Sequence, residues 1–268
     1  MITVVPEGGL CNRMRVVASS WLLARAAGQR MRVLWYRTPD FNARFDALFA
    51  ADGLPFEIVE LEALRRHDRL LWRLREPVRR LLGQTVIGPK QTAPGAFDTQ
   101  ALALQLRRPR VYIRTNTRLI FEPGMYALFR PVAALAERIA GLSPRLAQSV
   151  GVHVRRTDNT TASAVSTLER FIALMQAERA ADAKRPFFVA TDSPAVMASL
   201  REIFGDGIWE HPKRAYARND PLALADAVVD LYALGQCRKL IGSYWSSFTD
   251  TAAELRGIEC LIAKGATA

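Results

Sequence analysis

Residues 150–159 read Val-Gly-Val-His-Val-Arg-Arg-Thr-Asp-Asn, an apolar run that passes directly into a polar loop. The run predicts a buried strand over 150–154, and successive side chains of a strand point to opposite faces. His153 and Arg155 therefore lie on the face opposite Val154. The guanidinium of an arginine matches a diphosphate bidentately, so Arg155 predicts an anion site at the end of this strand.

Strands and helices alternate on both sides of this stretch. After it we predict helices over 167–181, 194–204 and 222–234 and strands over 187–190 and 239–241. Before it we predict strands over 1–7, 31–36 and 56–61, and helices over 13–27, 41–50 and 126–142. Such βαβ units have parallel strands with right-handed crossovers. The sequence thus predicts an α/β protein of two Rossmann-like halves, residues 1–145 and 146–268.

Length and composition exclude several classes of protein. With 268 residues, 50% hydrophobic and 24% charged, the chain is globular rather than disordered or a disulfide-stapled miniprotein. No apolar run of about 18 residues and no leader-like pattern occurs, so neither a membrane span nor export is expected. Three scattered cysteines, Cys11, Cys237 and Cys260, predict reduced thiols in a cytosol, without zinc or a disulfide.

The net charge of +11 falls entirely within the first half. Residues 1–145 carry 23 basic and 12 acidic side chains, whereas residues 146–268 carry 14 of each. A field of that sign attracts a phosphate-bearing substrate, an acidic lipid surface or nucleic acid.

Two segments of the first half have open interpretations. Residues 62–83 combine seven arginines with regularly spaced leucines. They form either a solvated helix pair broken at Pro77 or a basic amphipathic surface helix with Trp72 at a lipid interface. Residues 84–110 are rich in turn residues and predict a loop or lid.

The loop after the first strand, residues 7–15, reads Glu-Gly-Gly-Leu-Cys-Asn-Arg-Met-Arg. Gly8 and Gly9 permit close approach of a ligand, and the N–H groups of the following helix start suit a phosphate. Arg13 or Arg15 would add charge-assisted bonds. Neither a GxGxxG fingerprint nor a GxxxxGK[ST] loop is present, which argues against a dehydrogenase and a P-loop NTPase.

Two stretches near the end of the chain also carry polar groups. Asp226 and Asp230 share one helix face, an arrangement of like charges that costs a few tenths of a kcal/mol, so we expect a cationic or hydroxylated partner. Ser243, Ser246 and Ser247 supply hydroxyls and helix N-terminal amides that suit a phosphate.

Structural roles compete with these interpretations. His153 has an alternative role as a hydrogen-bonded core residue, and Arg156 as the surface partner of Asp158. Asp192 and Ser193 precede a predicted helix, where capping is the ordinary role of such residues.

Taken in order, these stretches resemble the fucosyltransferase superfamily, which contains the α-1,6-fucosyltransferases, the rhizobial nodulation fucosyltransferases and the protein O-fucosyltransferases. The resemblance is strongest over residues 150–254, through His-Val-Arg-Arg-Thr-Asp-Asn, Ala-Thr-Asp, Val-Val-Asp-Leu and Ser-Ser-Phe. The opening Pro-Glu-Gly-Gly-Leu-Cys-Asn-Arg agrees with it, whereas residues 38–125 match nothing recognisable. The resemblance implies a GT-B-like fold, with the halves facing across a cleft, the first on the acceptor side and the second holding a GDP-sugar.

The resemblance also implies residue roles. Arg155 would contact the β-phosphate of the donor, Asp192 and Asp230 the guanosine, and Ser246 or Ser247 the diphosphate. The implied donor-binding set is Gly8, Gly9, Asn12, Arg13, His153, Arg156, Asp192, Asp230, Ser246 and Ser247.

Catalysis would be a single displacement at the anomeric carbon with inversion, in which Arg155 stabilises the departing GDP. Glu7 resembles the base of one protein O-fucosyltransferase branch, whose loop also reads Pro-Glu-Gly. The α-1,6 branch places its base after the arginine motif, where residues 160–163 here read Thr-Thr-Ala-Ser, and this departure counts against the α-1,6 reaction. No Asp-x-Asp pair occurs, so neither a metal nor another cofactor is expected.

The expected partners are a GDP-sugar, with GDP-fucose foremost, and a hydroxyl of a bacterial glycan, a lipid-linked glycan or a protein. The expected location is the cytoplasm, with peripheral contact at the anionic inner face of the membrane. Nucleic-acid binding through the basic half is the main alternative, but aromatic residues are not interleaved with the basic run. The second alternative is a protein that binds a GDP-sugar without catalysing transfer.

Overall fold

The computed structural model describes residues 1–62, 76–89, 91–92, 98–156, 160–217 and 219–265. They form two compact units. Unit 1 comprises Met1–Val132 with Arg218–Leu224, and unit 2 comprises Ala133–Ala217 with Ala225–Ala268. The division falls one helix earlier than the expected boundary at 145/146, since the helix that ends at Leu146 groups with unit 2.

Unit 1 is a five-stranded parallel sheet of order β3-β2-β1-β5-β4. Its strands are β1 Ile2–Pro6, β2 Met31–Tyr36, β3 Glu57–Leu61, β4 Thr85–Ile87 and β5 Val111–Thr115. Its described helices include α1 Leu10–Ala26 and α2 Thr99–Leu106, with a further helical stretch at 76–81 and a 3₁₀ turn at Met125–Leu128. The predicted β1, α1, β2 and β3 are confirmed, and α1 begins three residues earlier than expected.

The prediction of a helix over 41–50 is wrong, because these residues form turns and isolated bridges. Aromatic residues recur there at every fourth position, Phe41, Phe45 and Phe49, which imitates helical periodicity. Phe41 and Phe45 pack instead on Trp35, and Phe49 packs on Phe45. The indole N–H of Trp35 donates to a carbonyl of the segment at 3.0 Å. The backbone N–H of Phe45 bonds to Glu60 at 2.6 Å. Contacts with β2 and β3 therefore use backbone groups that a helix would pair internally.

Two other predictions for unit 1 need correction. Residues 84–110 are not simply a loop or lid, since they contain β4 and α2, the latter capped by Asp98. The helix predicted over 126–142 is divided into the 3₁₀ turn and a helix that begins at Ala133. Pro131 lies between them and has no N–H to continue a helix. Of the segment 62–83, residues 76–81 are helical, while Trp72 and most of the predicted amphipathic helix lie outside the described residues.

Unit 2 repeats the design with the strand order β10-β9-β6-β7-β8, again parallel. Its strands are β6 Val150–Val154, β7 Phe187–Thr191, β8 Ile208–Trp209, β9 Lys239–Gly242 and β10 Cys260–Ile262. Its helices are α3 Ala133–Leu146, α4 Thr160–Val165, α5 Leu168–Ala181, α6 Pro194–Phe204, α7 Pro221–Leu234, whose first residues group with unit 1, and α8 Ser247–Arg256. A 3₁₀ turn at Gly205–Gly207 precedes β8.

The core of unit 2 forms around β6, which is buried along its whole length. Side chains of α5, α6 and β7 pack against it, among them Phe171, Met197 and Val189. A central strand covered on both faces matches the nearly continuous apolar run that predicted it. None of the helices in the described ranges has the length and apolar character needed to cross a bilayer.

Candidate active site

The carboxyl ends of β6, β7 and β9 lie side by side, since these strands are parallel neighbours. The residues that follow them are joined by hydrogen bonds. The N–H of Arg155 donates to Ser243 Oγ at 2.9 Å, and the N–H of Arg156 donates to Asp192 Oδ1 at 2.9 Å. Ser243 in turn donates to the carbonyl of His153 at 3.1 Å. We call this region the carboxyl edge of unit 2, and open α/β sheets bind ligands there.

Two arginines, Arg155 and Arg156, directly follow β6 at this edge. Arg155 and Arg156 are both half-buried. Nη1 of Arg156 donates to the carbonyl of Ser163 at 3.2 Å, whereas its Nη2 is buried without a hydrogen-bond partner among the described residues. A buried guanidinium nitrogen without an acceptor costs free energy, which an anionic ligand would recover. Asp158, the alternative partner of Arg156, lies outside the described residues.

His153 lies beneath the edge rather than on it. Its side chain is 6% exposed, its Nδ1 is 2.7 Å from Thr249 Oγ1, and its ring stacks on Phe248 at 4.7 Å. Burial, with the charge of Arg155 second, lowers the pKa of His153 to about 3. The ring is therefore neutral at pH 7, as its alternative role as a core residue requires.

The turn after β9 leads into the N-terminus of α8. Ser246 caps this helix, and its Oγ accepts from the N–H of Thr249 at 3.4 Å. Ser247 is half-buried in the first turn. Trp245, just before the cap, has a left-handed φ of 51°, which is uncommon for a bulky residue. Thr249 Oγ1 accepts from the N–H of Ser243 at 3.1 Å, so α8 begins beside Ser243, and the N-terminus of a helix suits an anion.

The two aspartates of α7 have the cationic partners that the sequence predicted. Arg138 and Arg214 bond to Asp226 at 2.7 and 2.8 Å, and the N–H of Arg214 bonds to it at 2.6 Å. Burial alone would raise the pKa of Asp226, but these donors together hold it below its ordinary value. These two cations thus offset the repulsion between Asp226 and the like charge of Asp230 one turn away.

Asp230 is held by residues that the sequence did not single out. Its Oδ2 is 3.1 Å from the Lys213 ammonium, and its Oδ1 is 2.8 Å from His211 Nδ1. Lys213 also donates to the carbonyl of Thr191 at 2.5 Å, which ties this group to the end of β7. No local pattern marks Lys213 or His211, because only the folded chain brings them to α7.

In unit 1, the loop after β1 carries the candidate base. The N–H of Glu7 bonds to the carbonyl of Thr115 at 2.9 Å, and its Oε1 accepts from Arg114 at 3.0 Å. Arg114 also donates to Glu76 at 2.6 Å. The guanidinium of Arg114, which the sequence did not identify, thus links two carboxylates.

The glycine turn next to Glu7 has a backbone conformation that favours glycine. Gly8 has a φ of +80°, and a Cβ there would come within 2.8 Å of Asn12 Nδ2. Gly9 precedes the first turn of α1, in which Asn12 is half-buried. The turn therefore requires glycine at position 8 and places the Asn12 amide against its backbone.

The prediction that Arg13 binds a ligand is corrected by its burial. Its side chain is 1% exposed and lies against the rings of Trp35 and Phe41, 5.0 and 4.3 Å from their centroids. Its Nε and Nη1 donate to the carbonyls of Gly8 and Tyr36 at 3.0 and 2.8 Å. Burial lowers its pKa to about 10. Arg13 therefore braces the glycine turn from below.

In the described part of the chain, no group of three or more His, Cys, Asp or Glu side chains is arranged to hold a metal ion. Burial raises the pKa of Cys237 to about 12 and that of Cys260 to about 11, so both thiols stay protonated at neutral pH.

Comparison with known proteins gives agreement in structure only. No family model and no curated protein sequence matches the chain. Among solved structures, NodZ α-1,6-fucosyltransferase soaked with GDP-fucose matches with a TM-score of 0.60 and 19% identity over 94% of this chain and 92% of that one. An Arabidopsis thaliana FUT1 mutant in complex with GDP matches with a TM-score of 0.64 and 14% identity, over 97% of this chain and 70% of that one. POFUT1 in complex with GDP-fucose matches with a TM-score of 0.59 and 12% identity, over 97% of both chains.

These likenesses define the class of fold, an α/β fold of two Rossmann-like units that is GT-B-like. Within that class, the chain has the fold of the fucosyltransferase structures just named. The fold that the sequence resemblance implied is confirmed.

Proposed function

We propose that this protein is a glycosyltransferase that moves fucose, or a related deoxyhexose, from a GDP-sugar to an acceptor hydroxyl. The observation that carries the proposal is the carboxyl edge of unit 2, where the backbone N–H groups of Arg155 and Arg156 bond to Ser243 and Asp192 and where α8 begins. Cationic forks and helix amides in one place suit a diphosphate. The structures of the same fold that contain GDP or GDP-fucose support the choice of donor.

The proposed reaction is one displacement. The acceptor oxygen forms a bond to the anomeric carbon as the bond from that carbon to the β-phosphate oxygen breaks, and the anomeric configuration inverts. GDP leaves with the bonding electrons, so negative charge grows on its β-phosphate. Arg155 stabilises that charge from a backbone position fixed by Ser243, which spares reorganisation during the reaction.

The acceptor hydroxyl must also lose its proton, and Glu7 is the proposed base. The bond from Arg114 fixes the orientation of its carboxylate, and the bond from its own N–H to Thr115 fixes the loop. A positioned base contributes typically about 10²–10⁴-fold to the rate. Arg114 then serves as a positioning residue.

The proposal needs no metal. The sequence has no Asp-x-Asp pair, and the guanidinium groups of Arg155 and Arg156 supply positive charge at the diphosphate. We place the reaction in the cytoplasm, with a bacterial glycan, a lipid-linked glycan or a protein as acceptor. The lack of glutamate at residues 160–163 supports a linkage other than α-1,6.

Turnover of GDP-fucose in EDTA tests this proposal, with phosphorus and proton NMR following free GDP and fucose. The intact protein is expected to release GDP, together with fucose of inverted anomeric configuration. Arg155→Ala should lower the rate about 100-fold or more. Glu7→Gln should lower it about 100-fold without weakening GDP binding. Glu122→Gln, which changes an exposed carboxylate paired with Arg25, is the matched control and should behave as the wild type.

Equal rates for Arg155→Ala and the wild type would contradict the assignment. If the intact protein binds GDP but releases none from GDP-fucose, whether water or an added glycan or peptide hydroxyl is the acceptor, the chain is a GDP-sugar-binding protein without catalysis.

A further inference from the structure

The amino ends of the strands in unit 1 form one edge of the sheet, opposite the edge that carries Glu7. Hydrogen bonds join the residues that precede these strands. The N–H of Ile2 bonds to the carbonyl of Arg30 at 2.8 Å, and the N–H of Thr85 bonds to that of Arg110 at 2.9 Å. The terminal amine of Met1 donates to the carbonyl of Pro109 at 2.9 Å. We call this region the amino edge of unit 1.

The amino edge carries positive charge that the described chain leaves unneutralised. Its exposed arginines are Arg30, Arg107, Arg108 and Arg110. Across the described ranges, none of these four guanidinium groups lies in an ion pair. Glu57, at the start of β3, is the exposed acid of this edge. Basic residues of unit 2 such as Arg138, Lys213 and Arg214 are paired with carboxylates.

Exposed apolar side chains lie beside this charge. Val78, Leu81 and Leu82 are 48%, 87% and 64% exposed. The N–H of Gln84 bonds to the carbonyl of Arg79 at 2.9 Å, and Thr85 bonds to Arg110 as described above. The helical residues 76–81 therefore end at the turn that holds Arg107, Arg108 and Arg110.

We propose that the amino edge of unit 1, together with Leu81 and Leu82, docks the protein on an anionic membrane surface. Arginines attract acidic headgroups, and neighbouring leucines enter the boundary with the acyl chains. Binding of a single-stranded nucleic acid is favoured by exposed aromatic rings on which bases stack, whereas the exposed apolar residues here are aliphatic. The surface lies at the opposite end of the strands from Glu7, so docking would leave the proposed base uncovered by lipid.

Co-sedimentation with vesicles tests this proposal, and its outcome does not depend on the donor sugar. The full chain is mixed with phosphatidylglycerol–phosphatidylcholine vesicles or with pure phosphatidylcholine vesicles, at low and high salt. Binding is expected to the anionic vesicles only, and to weaken strongly with salt because headgroup attraction is screened.

Two pairs of substitutions separate charge from apolar contact. Arg107→Glu with Arg108→Glu should weaken binding about tenfold or more. Leu81→Ser with Leu82→Ser should weaken it mainly at high salt, where the apolar contact remains. Lys184→Glu with Arg256→Glu makes the same change of charge on exposed residues of unit 2 and should cost far less affinity. Circular dichroism and thermal unfolding show that each variant is folded.

Three results would overturn the proposal. One is failure of the wild type to bind anionic vesicles at low salt. Another is an equal loss of binding in the unit 2 control, which would show attraction by net charge alone. The third is binding of single-stranded RNA, but not vesicles, that depends on Arg107 and Arg108.

Discussion

Arg13 and His153 each place a titratable side chain inside a unit, directly below a loop with a proposed function. Arg13 holds the carbonyl of Gly8, and His153 holds Thr249 in the first turn of α8. Both have a lowered pKa because burial disfavours the charged form. Their position in the sequence, next to the loops, made them candidates for ligand binding. Because both side chains are buried, they instead stabilise the residues that would bind a ligand.

The lowered pKa of His153 predicts a pH dependence of stability. Its pKa is about 3 in the folded chain against an ordinary value of 6.5, so the unfolded chain binds this proton first as the pH falls. The free energy of unfolding should therefore fall as the pH is lowered from about 6.5 toward 3, by up to about 1.4 kcal/mol per pH unit from this group. Urea titrations at pH 7, 5 and 4 measure it.

His153→Gln separates this effect from the titration of carboxylates. Glutamine can still bond to Thr249 but takes up no proton, so this variant should lose about 3 kcal/mol less than the wild type between pH 7 and pH 4. Parallel losses in the two proteins would show that His153 does not carry the dependence.

At the scale of elements, the packing of α8 against the end of β9 sets the geometry of the proposed phosphate site. Gly242 ends β9, and a Cβ at this position would come within 2.1 Å of Thr249 Cγ2. Thr249 also accepts from the N–H of Ser243 at 3.1 Å. The Thr249 side chain therefore fills the space beside Gly242, and its bond to Ser243 holds the start of α8 against the end of β9.

Gly242→Ala tests this close packing. The added methyl group must displace Thr249 and with it the start of α8, so we expect a loss of about 1–3 kcal/mol in the free energy of unfolding. GDP binding should weaken as well. Gly141→Ala is the matched control, because a Cβ at this helical position meets nothing within 4 Å. It should be neutral or stabilise by about 0.5–1 kcal/mol. Thermal and chemical unfolding of both variants decide the point, and equal stability would contradict the account.

The elements also show where prediction from the sequence succeeds. Long runs with one periodicity, such as β6 and α6, were predicted almost to their ends. The strand β5, the central partner of β1, was missed although Val-Tyr-Ile-Arg-Thr alternates, because its neighbours are rich in turn residues. Strands of two or three residues, such as β8 and β10, are too short to show a period.

The same limit applies to the site. Arg155, Asp192 and the serines at the start of α8 are candidates because each follows a recognisable strand, and their contact with a ligand stays a prediction. Arg114 and Lys213 were missed because their partners, Glu7 and Asp230, are distant in sequence and meet them only through folding. Polar residues that act through long-range contacts leave no local signal.

At the scale of the whole molecule, the chain builds two similar sheets and gives them different electrostatics. Each unit has five parallel strands with polar residues at their carboxyl ends. In unit 2 the buried aspartates are matched by cations, whereas unit 1 retains exposed arginines at its amino edge. Part of the excess of positive charge in residues 1–145 therefore lies at this edge, and the proposed diphosphate site does not depend on it.

Calorimetric titration of GDP-fucose and of UDP-glucose into the wild type and Arg155→Ala tests the central claim most directly. The wild type should bind GDP-fucose at least about tenfold more tightly than UDP-glucose, a difference of about 1.4 kcal/mol. Arg155→Ala should lose about 2 kcal/mol of the affinity for GDP-fucose, since it removes a charge-assisted contact to the diphosphate. Equal affinity for the two donors, or an Arg155→Ala variant that binds GDP-fucose as tightly as the wild type, would contradict the account.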